Sequence, residues 1–429
     1  MRDRFFRTFA PMKKLLLFLS LVTVVQSATA QTFTLRLMSY NILNYRNSTN
    51  ECNGNSNSAG SKETALDTII KNVSPHLIVF NEIGASANNA QYLLNNALNT
   101  GNVSSWATAN YTNNSFSSLT NVVAYNSDYL GILSQDVISQ DLAGSTLVRV
   151  VDVVRFYYKD PLLNAQSDTL TFTVLGAHFK AGNGTDNSSK RNLMAKAVID
   201  YADNECQDDN LFLLGDYNMY SSAESAYQTL IGGQTFRFED PINTSGNWNN
   251  NGSFASVHTQ STRSSTSNSC FSAGGLDDRF DQILCSEAVV EGDDQMVYVP
   301  NTYFAVGNDG NHFNSSINSG TNYSVSSTVL SALYSLSDHL PVIADFDLNM
   351  QGLSTEEFKI PALPNPMRQP FEFGGYTNNY SLILVGMDGQ VVFRKAVNEH
   401  KILQQLPTGV YTALWTKKGF TKASKLMVW

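Results

Sequence analysis

Residues 337–344 read SDHLPVIA, an aspartate and a histidine followed directly by a short apolar run. An acid beside a histidine at the mouth of a predicted β-strand is a candidate metal-and-base pair. An Asp–His dipeptide is common and by itself indicates little. It gains weight here because other segments of the chain have the same construction, in which an apolar, strand-like run ends in a side chain that can bind a metal ion or a phosphate.

The other clusters follow one another along the chain. Each is a short apolar run that ends in an amide, an acid or a histidine: residues 35–40 end at Asn41, residues 76–81 at Glu82, residues 169–177 at His178 with Lys180 just after, and residues 211–215 at Asp216 and Asn218. Residues 279–284, which include Asp281, lead toward the Asp338–His339 pair. Such strands predict an active site along one edge of a sheet sandwich. Oxygen donors without cysteine favour magnesium, calcium or manganese over zinc.

These motifs, in this order, resemble the endonuclease/exonuclease/phosphatase superfamily, which includes deoxyribonuclease I, abasic-site endonucleases, neutral sphingomyelinases and inositol-polyphosphate phosphatases. The resemblance spans roughly residues 35–346. It implies an α/β fold, a four-layered sandwich of two mixed sheets flanked by helices. It also implies a hydrolase that attacks phosphate esters with the help of a bound divalent metal.

The resemblance assigns a role to each candidate residue. The expected metal set is Asn41, Glu82 and Asp338; the expected catalytic set is His178, Asp216, Asn218, Asp281 and His339; the expected phosphate contacts are Arg155 and Lys180. Asp281 would accept the ring N–H of His339, which fixes the tautomer and raises the basicity of the other nitrogen. His339 would then act as a general base or stabilise the attacked phosphoryl group. A strand arginine such as Arg155 has an alternative interpretation, a structural salt bridge.

One feature of the deoxyribonuclease I branch is missing. That branch places a glutamate on a neighbouring strand against the histidine matched by His178, and residues 117–121 hold no acid and no tyrosine. The departure argues against the deoxyribonuclease I subtype and leaves the superfamily resemblance intact.

Two amphipathic helices are expected between the strands. Residues 62–73 place Leu66, Ile69 and Val73 on one face, and Pro75 ends the pattern. Residues 189–202 form the second helix, for which we expect Leu193, Ala197 and Ile199 to point inward. Residues 44–62, 110–121 and 242–275 are polar and predict long loops that shape a binding surface.

The first thirty residues have the pattern of a secretory signal peptide. Basic residues precede an apolar stretch at positions 15–25, and residues 28–30 (ATA) form a small-residue cleavage site. The apolar stretch is too short for a transmembrane anchor. We therefore expect a protein that is secreted or attached to the cell surface after export through the periplasm. The formal net charge of −9 argues against capture of nucleic acid by the whole surface, but permits a local positive cleft.

Export also permits disulfides. The four cysteines Cys52, Cys206, Cys270 and Cys285 allow three pairings, among which the sequence does not choose. Their spacing fits no zinc motif, so we expect a structural role.

Composition changes after Met350. Residues 351–366 contain three prolines and predict a linker, and residues 367–429 contain runs typical of a small all-β sandwich. This segment resembles the C-terminal sorting domain of the type IX secretion system of Bacteroidetes; an accessory module that binds carbohydrate is the alternative. The predicted organisation is therefore a signal peptide (1–30), a catalytic domain (31–350), a linker (351–366) and a sorting domain (367–429).

The sequence thus predicts a secreted, monomeric phosphodiesterase that uses Mg²⁺ or Mn²⁺, with Ca²⁺ also possible chemically. The best substrate prediction is DNA or RNA. An enzyme like a sphingomyelinase or a phosphoinositide phosphatase is the alternative within the superfamily, and a non-catalytic binding module on the same scaffold is the alternative outside it. The type IX secretion machinery is the expected protein partner, and no stable complex is expected.

Overall fold

The computed structural model describes residues 32–49, 51–160, 169–206, 208–233, 236–292, 295–349, 371–373, 380–387, 390–397, 402–404, 406–417 and 420–428. The predicted signal peptide and linker lie outside these residues. The elements before residue 350 are, in chain order, β1 (Thr32–Tyr45), α1 (Ala59–Val73), β2 (Leu77–Gly84), α2 (Ala87–Leu93), β3 (Trp106–Thr108), β4 (Leu119–Asn126), β5 (Leu130–Gln140), β6 (Thr146–Tyr158), β7 (Thr171–His178), α3 (Thr185–Asn204), β8 (Leu211–Asp216), α4 (Ser225–Ile231), β9 (Phe238–Glu239), β10 (Asp281–Ser286), α5 (Glu287–Glu291), β11 (Met296–Tyr298), β12 (Phe304–Ala305), α6 (Ser327–Leu336) and β13 (Val342–Asn349).

The strands form two large mixed sheets. The first has the order β11-β13-β1-β2-β4-β3, with β12 also paired to β13, and the second has the order β5-β6-β7-β8-β10-β9. The pairs β1–β2 and β7–β8 are parallel, and every other neighbouring pair of the described strands in these sheets is antiparallel. The parallel pairs bring the carboxyl ends of β1, β2, β7 and β8 to the same edge of the sandwich, and this edge carries the predicted site.

The two sheets pack face to face, with helices outside them. Phe212 on β8 and Phe346 on β13 meet across the interface with ring centroids 4.8 Å apart. Apolar side chains of α1 and α6 pack with the first sheet in one core, and those of α3 and α4 pack with the second sheet in another. The predicted four-layered α/β sandwich is therefore confirmed.

Helix α1 is confirmed with its predicted inner face. Leu66, Ile69 and Val73 are buried in the core. The hydroxyl of Ser58 accepts a hydrogen bond from the backbone N–H of Ser61 and caps the start of the helix. At the other end Ser74 adopts a left-handed conformation, φ 51°, and its N–H donates to the carbonyl of Ile70.

Helix α3 lies where the second helix was predicted, and its inner face is predicted in part. Ala197 is buried and Ile199 packs partly buried against the core, as predicted, but Leu193 is 42% exposed. The prediction for Leu193 was wrong because the charged residue Arg191 is buried on this helix, and apolar spacing alone does not reveal that.

After residue 349 the described elements are all strands: β14 (Phe371–Phe373), β15 (Tyr380–Gly386), β16 (Val391–Val397), β17 (Ile402–Gln404), β18 (Gly409–Lys417) and β19 (Phe420–Val428). They form a four-stranded antiparallel sheet, β16-β15-β18-β19, and a separate pair, β14-β17. The domain boundaries proposed for this segment remain predictions. In the part of the chain that the structure describes, no helix combines the length and apolar character needed to cross a membrane.

Candidate active site

Strand register brings three of the predicted residues together. His178 at the end of β7 pairs with Asp216 at the end of β8, and Asp216 pairs with Asp281 at the start of β10. Gly215 permits this approach, since a Cβ atom there would lie only 1.7 Å from the carbonyl oxygen of Ala177. The order of acid and histidine along one sheet edge is thus a direct result of strand pairing.

Asparagines join this edge to the other sheet. Asn41, at the site end of β1, donates from Nδ2 to Asp216 Oδ2 at 2.9 Å. Asn81 on β2 donates from Nδ2 to the carbonyl of Ala177 at 3.1 Å and accepts at Oδ1 from the N–H of Asp216 at 3.0 Å. Both asparagines are fully buried. Asn81 was not among the predicted site residues, although it stands next to Glu82 and holds the two sheets in register.

Glu82 reaches the site through an irregularity in β2. The pairing of β2 with β4 shifts between Phe80 and Ile83, and Glu82 itself adopts a left-handed conformation with φ 62°. A bulge of this kind re-aims a side chain and is costly for a residue other than glycine. The N–H of Asn44 donates to Glu82 Oε2 at 3.1 Å, which leaves Oε1 directed at the histidine.

Glu82, His178 and Asp216 form a group with the dimensions of a metal site. His178 Nε2 lies 3.9 Å from Glu82 Oε1 and 3.5 Å from Asp216 Oδ2, and one donor atom from each residue falls within 4.8 Å of the others. Two carboxylates and an imidazole, one of the carboxylates deeply buried, are a donor set that suits a hard divalent cation. The residues present therefore fit a bound metal ion.

Asp281 and His339 make the predicted carboxylate–histidine pair. Asp281 Oδ2 lies 2.7 Å from His339 Nδ1, and both side chains are buried. The hydroxyl of Thr259 accepts a hydrogen bond from the backbone N–H of Asp281 at 3.1 Å and holds that residue in position. The other ring nitrogen, Nε2, lies 3.9 Å from Asp216 Oδ2 and 2.6 Å from the side-chain amide of Gln260. Sequence reasoning missed Gln260, which belongs to a loop whose path the sequence does not reveal.

The two histidines of the site have opposite protonation preferences. Burial alone would lower the pKa of His339, but the carboxylates of Asp281, Asp216 and Asp338 outweigh it and raise that pKa well above its usual value. For His178, burial together with the positive charges around it lowers the pKa well below its usual value. The raised pKa favours the protonated ring of His339, and the lowered pKa favours the neutral ring of His178. Among the described residues, the buried Nδ1 of His178 has no hydrogen-bond partner, in line with the missing acid in residues 117–121.

Asp216 lies between these rings. Burial raises its pKa to about 7. Asn218, in a left-handed turn with φ 51°, donates from Nδ2 to Asp216 Oδ1 at 2.8 Å, and its backbone N–H donates to the same oxygen at 3.0 Å. The turn thus holds one oxygen of Asp216, and the other faces the histidines.

Three predicted residues lie apart from this cluster or at its margin. Asp338 is buried beside His339, yet its Oδ2 accepts from the N–H of Ser272 at 2.7 Å, and it is not part of the metal-sized group. Arg155 pairs with Asp208 at 2.8 Å opposite Thr173, which stands five residues before His178 on β7. At the rise of a β-strand this is roughly 16 Å from the site. The phosphate-binding role predicted for Arg155 has no support from this position, and the salt-bridge interpretation describes it.

Lys180 lies at the margin of the cluster. Its ammonium group donates to the carbonyl of Ala181 at 2.9 Å. Partial burial, and then the nearby positive charges of Arg149, Lys190 and Arg191, lower its pKa.

Arg149 was missed by the sequence analysis. It is partly exposed near the start of β6, and its guanidinium donates to the carbonyl of Phe179 at 3.1 Å. Glu82 and Asp216 are the acids that act on its charge. Arg149 lies in an irregular part of β6, where the register with β5 shifts, so alternation does not predict its direction. Its hydrogen bond to Phe179, which follows His178, is what puts Arg149 next to the site.

A disulfide joins two loops beside the site. Cys52 and Cys270 are bonded, and they pack with Leu43 and Phe271 in a small buried cluster. The chain from Cys270 continues to Ser272, whose N–H binds Asp338. Of the three pairings allowed by the sequence, the structure therefore contains Cys52–Cys270, while Cys285 lies buried in the core and outside any disulfide.

No protein-family model matches the chain, and no curated protein matches it. Solved structures with a similar course of the chain include an endonuclease/exonuclease/phosphatase from Bacteroides vulgatus, at 16% identity and TM-score 0.47 over 74% of this chain and 99% of that one. The catalytic domain of human Nocturnin with bound sulfate has 12% identity and TM-score 0.47 over 74% of this chain and 97% of that one. TDP2 of D. rerio, complexed with a single-strand DNA product, has 11% identity and TM-score 0.45 over 73% of this chain and 98% of that one. At these values the likenesses carry no functional argument.

Proposed function

We propose that this chain is a divalent-metal-dependent phosphoesterase of the endonuclease/exonuclease/phosphatase superfamily. One observation carries the proposal: the Asp281–His339 pair, joined at 2.7 Å, faces Asp216 next to the metal-sized group of Glu82 and His178. A phosphoryl transfer needs an oriented water, neutralisation of the charge on the phosphoryl oxygens and help for the leaving oxygen. Each of these needs has a group of the right kind in the cluster.

Glu82 and Asp216 would hold the cation, and His178 or the amide of Asn41 would complete the set. When bound, a divalent cation would polarise the phosphoryl oxygens and lower the pKa of a water molecule. Magnesium or manganese suits a set dominated by carboxylate and amide oxygens, and manganese also accepts the imidazole nitrogen.

His339 is the group best placed to stabilise the attacked phosphoryl group. Its raised pKa favours the protonated ring, and the hydrogen bond to Asp281 fixes the direction of Nε2. This favours the phosphoryl-stabilising role over that of a resting base. Asp216, which the turn at Asn218 holds in place, would help to orient the attacking water.

The substrate that we propose is a nucleic-acid phosphodiester. Arg149 and His339 are two cationic side chains near the acids of the site. The single negative charge of one phosphodiester needs no more positive charge than these two groups provide. The acidic surface of the chain argues for recognition through such local contacts and against binding along a long duplex. Sphingomyelin and inositol phosphates carry the same reacting group and are the competing substrates.

An assay of the purified chain with magnesium separates these substrates. Plasmid DNA, RNA, sphingomyelin and inositol phosphates would be tested in parallel, each with wild type and with His339→Ala purified in the same way. Cleavage of DNA or RNA by the wild type alone supports the proposal. Turnover confined to a lipid or to an inositol phosphate would replace the proposed substrate and keep the chemistry. No turnover with any of the four would contradict the enzymatic proposal.

We further propose that the protein is exported, with residues 1–30 as a signal peptide and residues 367–429 as a type IX sorting domain. The basic and apolar pattern of the first thirty residues and the prolines of 351–366 support this proposal. Truncation after Met350 should leave hydrolysis by the purified protein nearly unchanged and trap the chain in the periplasm of its host. Loss of hydrolysis with intact export would make the C-terminal segment a substrate-binding domain.

A further inference from the structure

The lysine on helix α1, Lys62, is buried beneath the site. Its side chain is only 4% exposed, and its ammonium group donates to the carbonyl of Ile42 at 2.8 Å and to the carbonyl of Leu336. Among the described residues it forms no ion pair with a carboxylate, and the ring of Phe271 lies 5.6 Å away. The acids that act on its charge are Asp338 and Glu82.

The two carbonyls belong to the two segments that deliver the catalytic groups. Ile42 directly follows Asn41 on β1, and Leu336 directly precedes Ser337, Asp338 and His339 at the end of α6. A second contact joins the same segments, because the hydroxyl of Ser337 donates to the carbonyl of Asn41 at 2.7 Å and accepts from the N–H of His339 at 3.1 Å. Lys62 and Ser337 therefore hold β1 and the histidine segment at a fixed spacing.

Lysine is a costly residue for this position if packing were its only purpose. A buried ammonium group loses its hydration, and carbonyl oxygens compensate for it less well than a carboxylate does. A methionine would fill a similar volume without that penalty. Burial lowers the pKa of this ammonium group to about 7, and the charges of Asp338 and Glu82 only partly offset that shift. What the lysine secures is therefore the pair of hydrogen bonds to the two carbonyls.

We propose that Lys62 is a positioning residue of the metal-dependent reaction, which sets the spacing between Asn41 and His339 through its two hydrogen bonds. The inference rests on the proposed function of the site. A positioning role predicts a loss of turnover without a matching loss of metal binding, and this difference is what makes the role testable.

The test compares Lys62→Met, Lys62→Arg and Lys71→Met with the wild type. Lys71 lies on the same helix, is exposed and pairs with Asp67, so it is a matched control. The measurements are kcat and KM on bis(p-nitrophenyl) phosphate, manganese binding by calorimetry without substrate, and the thermal midpoint. For Lys62→Met we expect kcat to fall by about 10- to 100-fold, the cost of a small misplacement, with KM little changed. Manganese affinity should stay close to that of the wild type, because the hydrogen bonds of Lys62 go to two backbone carbonyls and to none of the groups that would hold the metal.

Lys62→Arg keeps N–H donors for the two carbonyls and should recover part of the lost kcat, and Lys71→Met should match the wild type. Wild-type kcat in Lys62→Met would overturn the proposal. Weaker manganese binding together with a lower thermal midpoint and no rescue by arginine would also overturn it, in favour of a purely structural lysine. If the wild type hydrolyses no phosphate ester, the proposed function itself fails, which is a different result from an active wild type with an equally active Lys62→Met.

Discussion

The two ends of β6 carry arginines in opposite circumstances. Arg155 is bound by both carboxylate oxygens of Asp208, with the nearest contact at 2.8 Å. Arg149, at the other end, donates to one backbone carbonyl and lies near acids that it does not directly bind. The same residue type on one strand forms an ion pair with a carboxylate at one end and a single hydrogen bond to a backbone carbonyl beside the site at the other.

The contrast extends to both ends of the sandwich. Arg36 on β1 stands five residues before Asn41, at the end of the sandwich away from the site. Its guanidinium pairs with Asp345 on β13 at 2.7 Å. At the site end, buried atoms of His178, Asp281 and Asp338 have no hydrogen-bond partner among the described residues, and neither do atoms of Asn113 and His258 elsewhere. Buried polar groups are normally paired. At the site these atoms lie beside the metal-sized group, whereas an ion pair closes the opposite end.

Removal of the metal should have the largest effect. Chelation with EDTA should abolish hydrolysis, and magnesium or manganese should restore it, because the acids of the site would otherwise repel the phosphate. Glu82→Gln should reduce activity below detection and weaken manganese binding in calorimetry. Asp345→Asn, at the opposite end, should keep full activity while lowering the thermal midpoint. Full activity in chelator would end the metal hypothesis.

Loss of the histidine pair should come next. His339→Ala should lower kcat by at least about 10²-fold, the usual contribution of a positioned acid or base. Asp281→Asn should be nearly as damaging with an unchanged KM, because it removes the negative charge that stabilises the protonated ring of His339. Steady-state kinetics at saturating metal measures both. A near-wild-type rate for His339→Ala would show that the pair is structural.

The two arginines of β6 give the sharpest form of the comparison. Arg149→Met should lower kcat/KM by about 10- to 100-fold, as expected for a lost charge-assisted contact to phosphate. Arg155→Met should leave kcat/KM unchanged and lower the thermal midpoint, since it strands Asp208. Steady-state kinetics and melting curves of the two variants test this difference. If Arg155→Met lowers kcat/KM and Arg149→Met lowers only the thermal midpoint, the assignment of Arg149 is wrong.

The smallest expected effect is on stability as a function of pH, measured in chelator. The pKa of His178 is lowered in the folded state, so the protein should lose stability as pH falls below about 6.5, and His178→Gln should reduce that loss. The pKa of His339 is raised, so its contribution is fully present below about 6.5 and disappears as pH rises through the folded value. His339→Gln should therefore destabilise the protein more at pH 5 than at pH 9. Parallel pH dependences for the two variants would contradict this assignment.

Much of this arrangement could be predicted from the sequence, because strand runs and their terminal residues are local features. Residues 35–41, 76–82 and 211–216 are each a mostly apolar run that ends in a polar residue. The structure puts these polar residues at the same edge of the sandwich. The fold class followed from the family resemblance and is confirmed. Asn41, Glu82, His178, Asp216 and Asn218 are brought together as expected, and so are Asp281 and His339.

What escaped prediction depends on register and on contacts between layers. The sequence does not tell which of Arg149 and Arg155 lies at the site, because that depends on the neighbours that each side chain contacts in the folded protein. Asn81 and Lys62 act across the sheets or between a helix and a strand end, and nothing in their neighbouring residues indicates those partners. Gln260 enters from a loop. In each case the missing information is long-range packing.

The bond between Cys52 and Cys270 closes a covalent ring through a sequence separation of 218 residues. Most of the predicted catalytic segment lies inside that ring, including the strand ends that bear Glu82, His178 and Asp216. A protease that cuts the backbone once between the two cysteines therefore cannot separate the fragments. Such a nicked molecule would migrate as one species on a non-reducing gel and as two after reduction. The bond cannot form until the chain has been synthesised as far as Cys270.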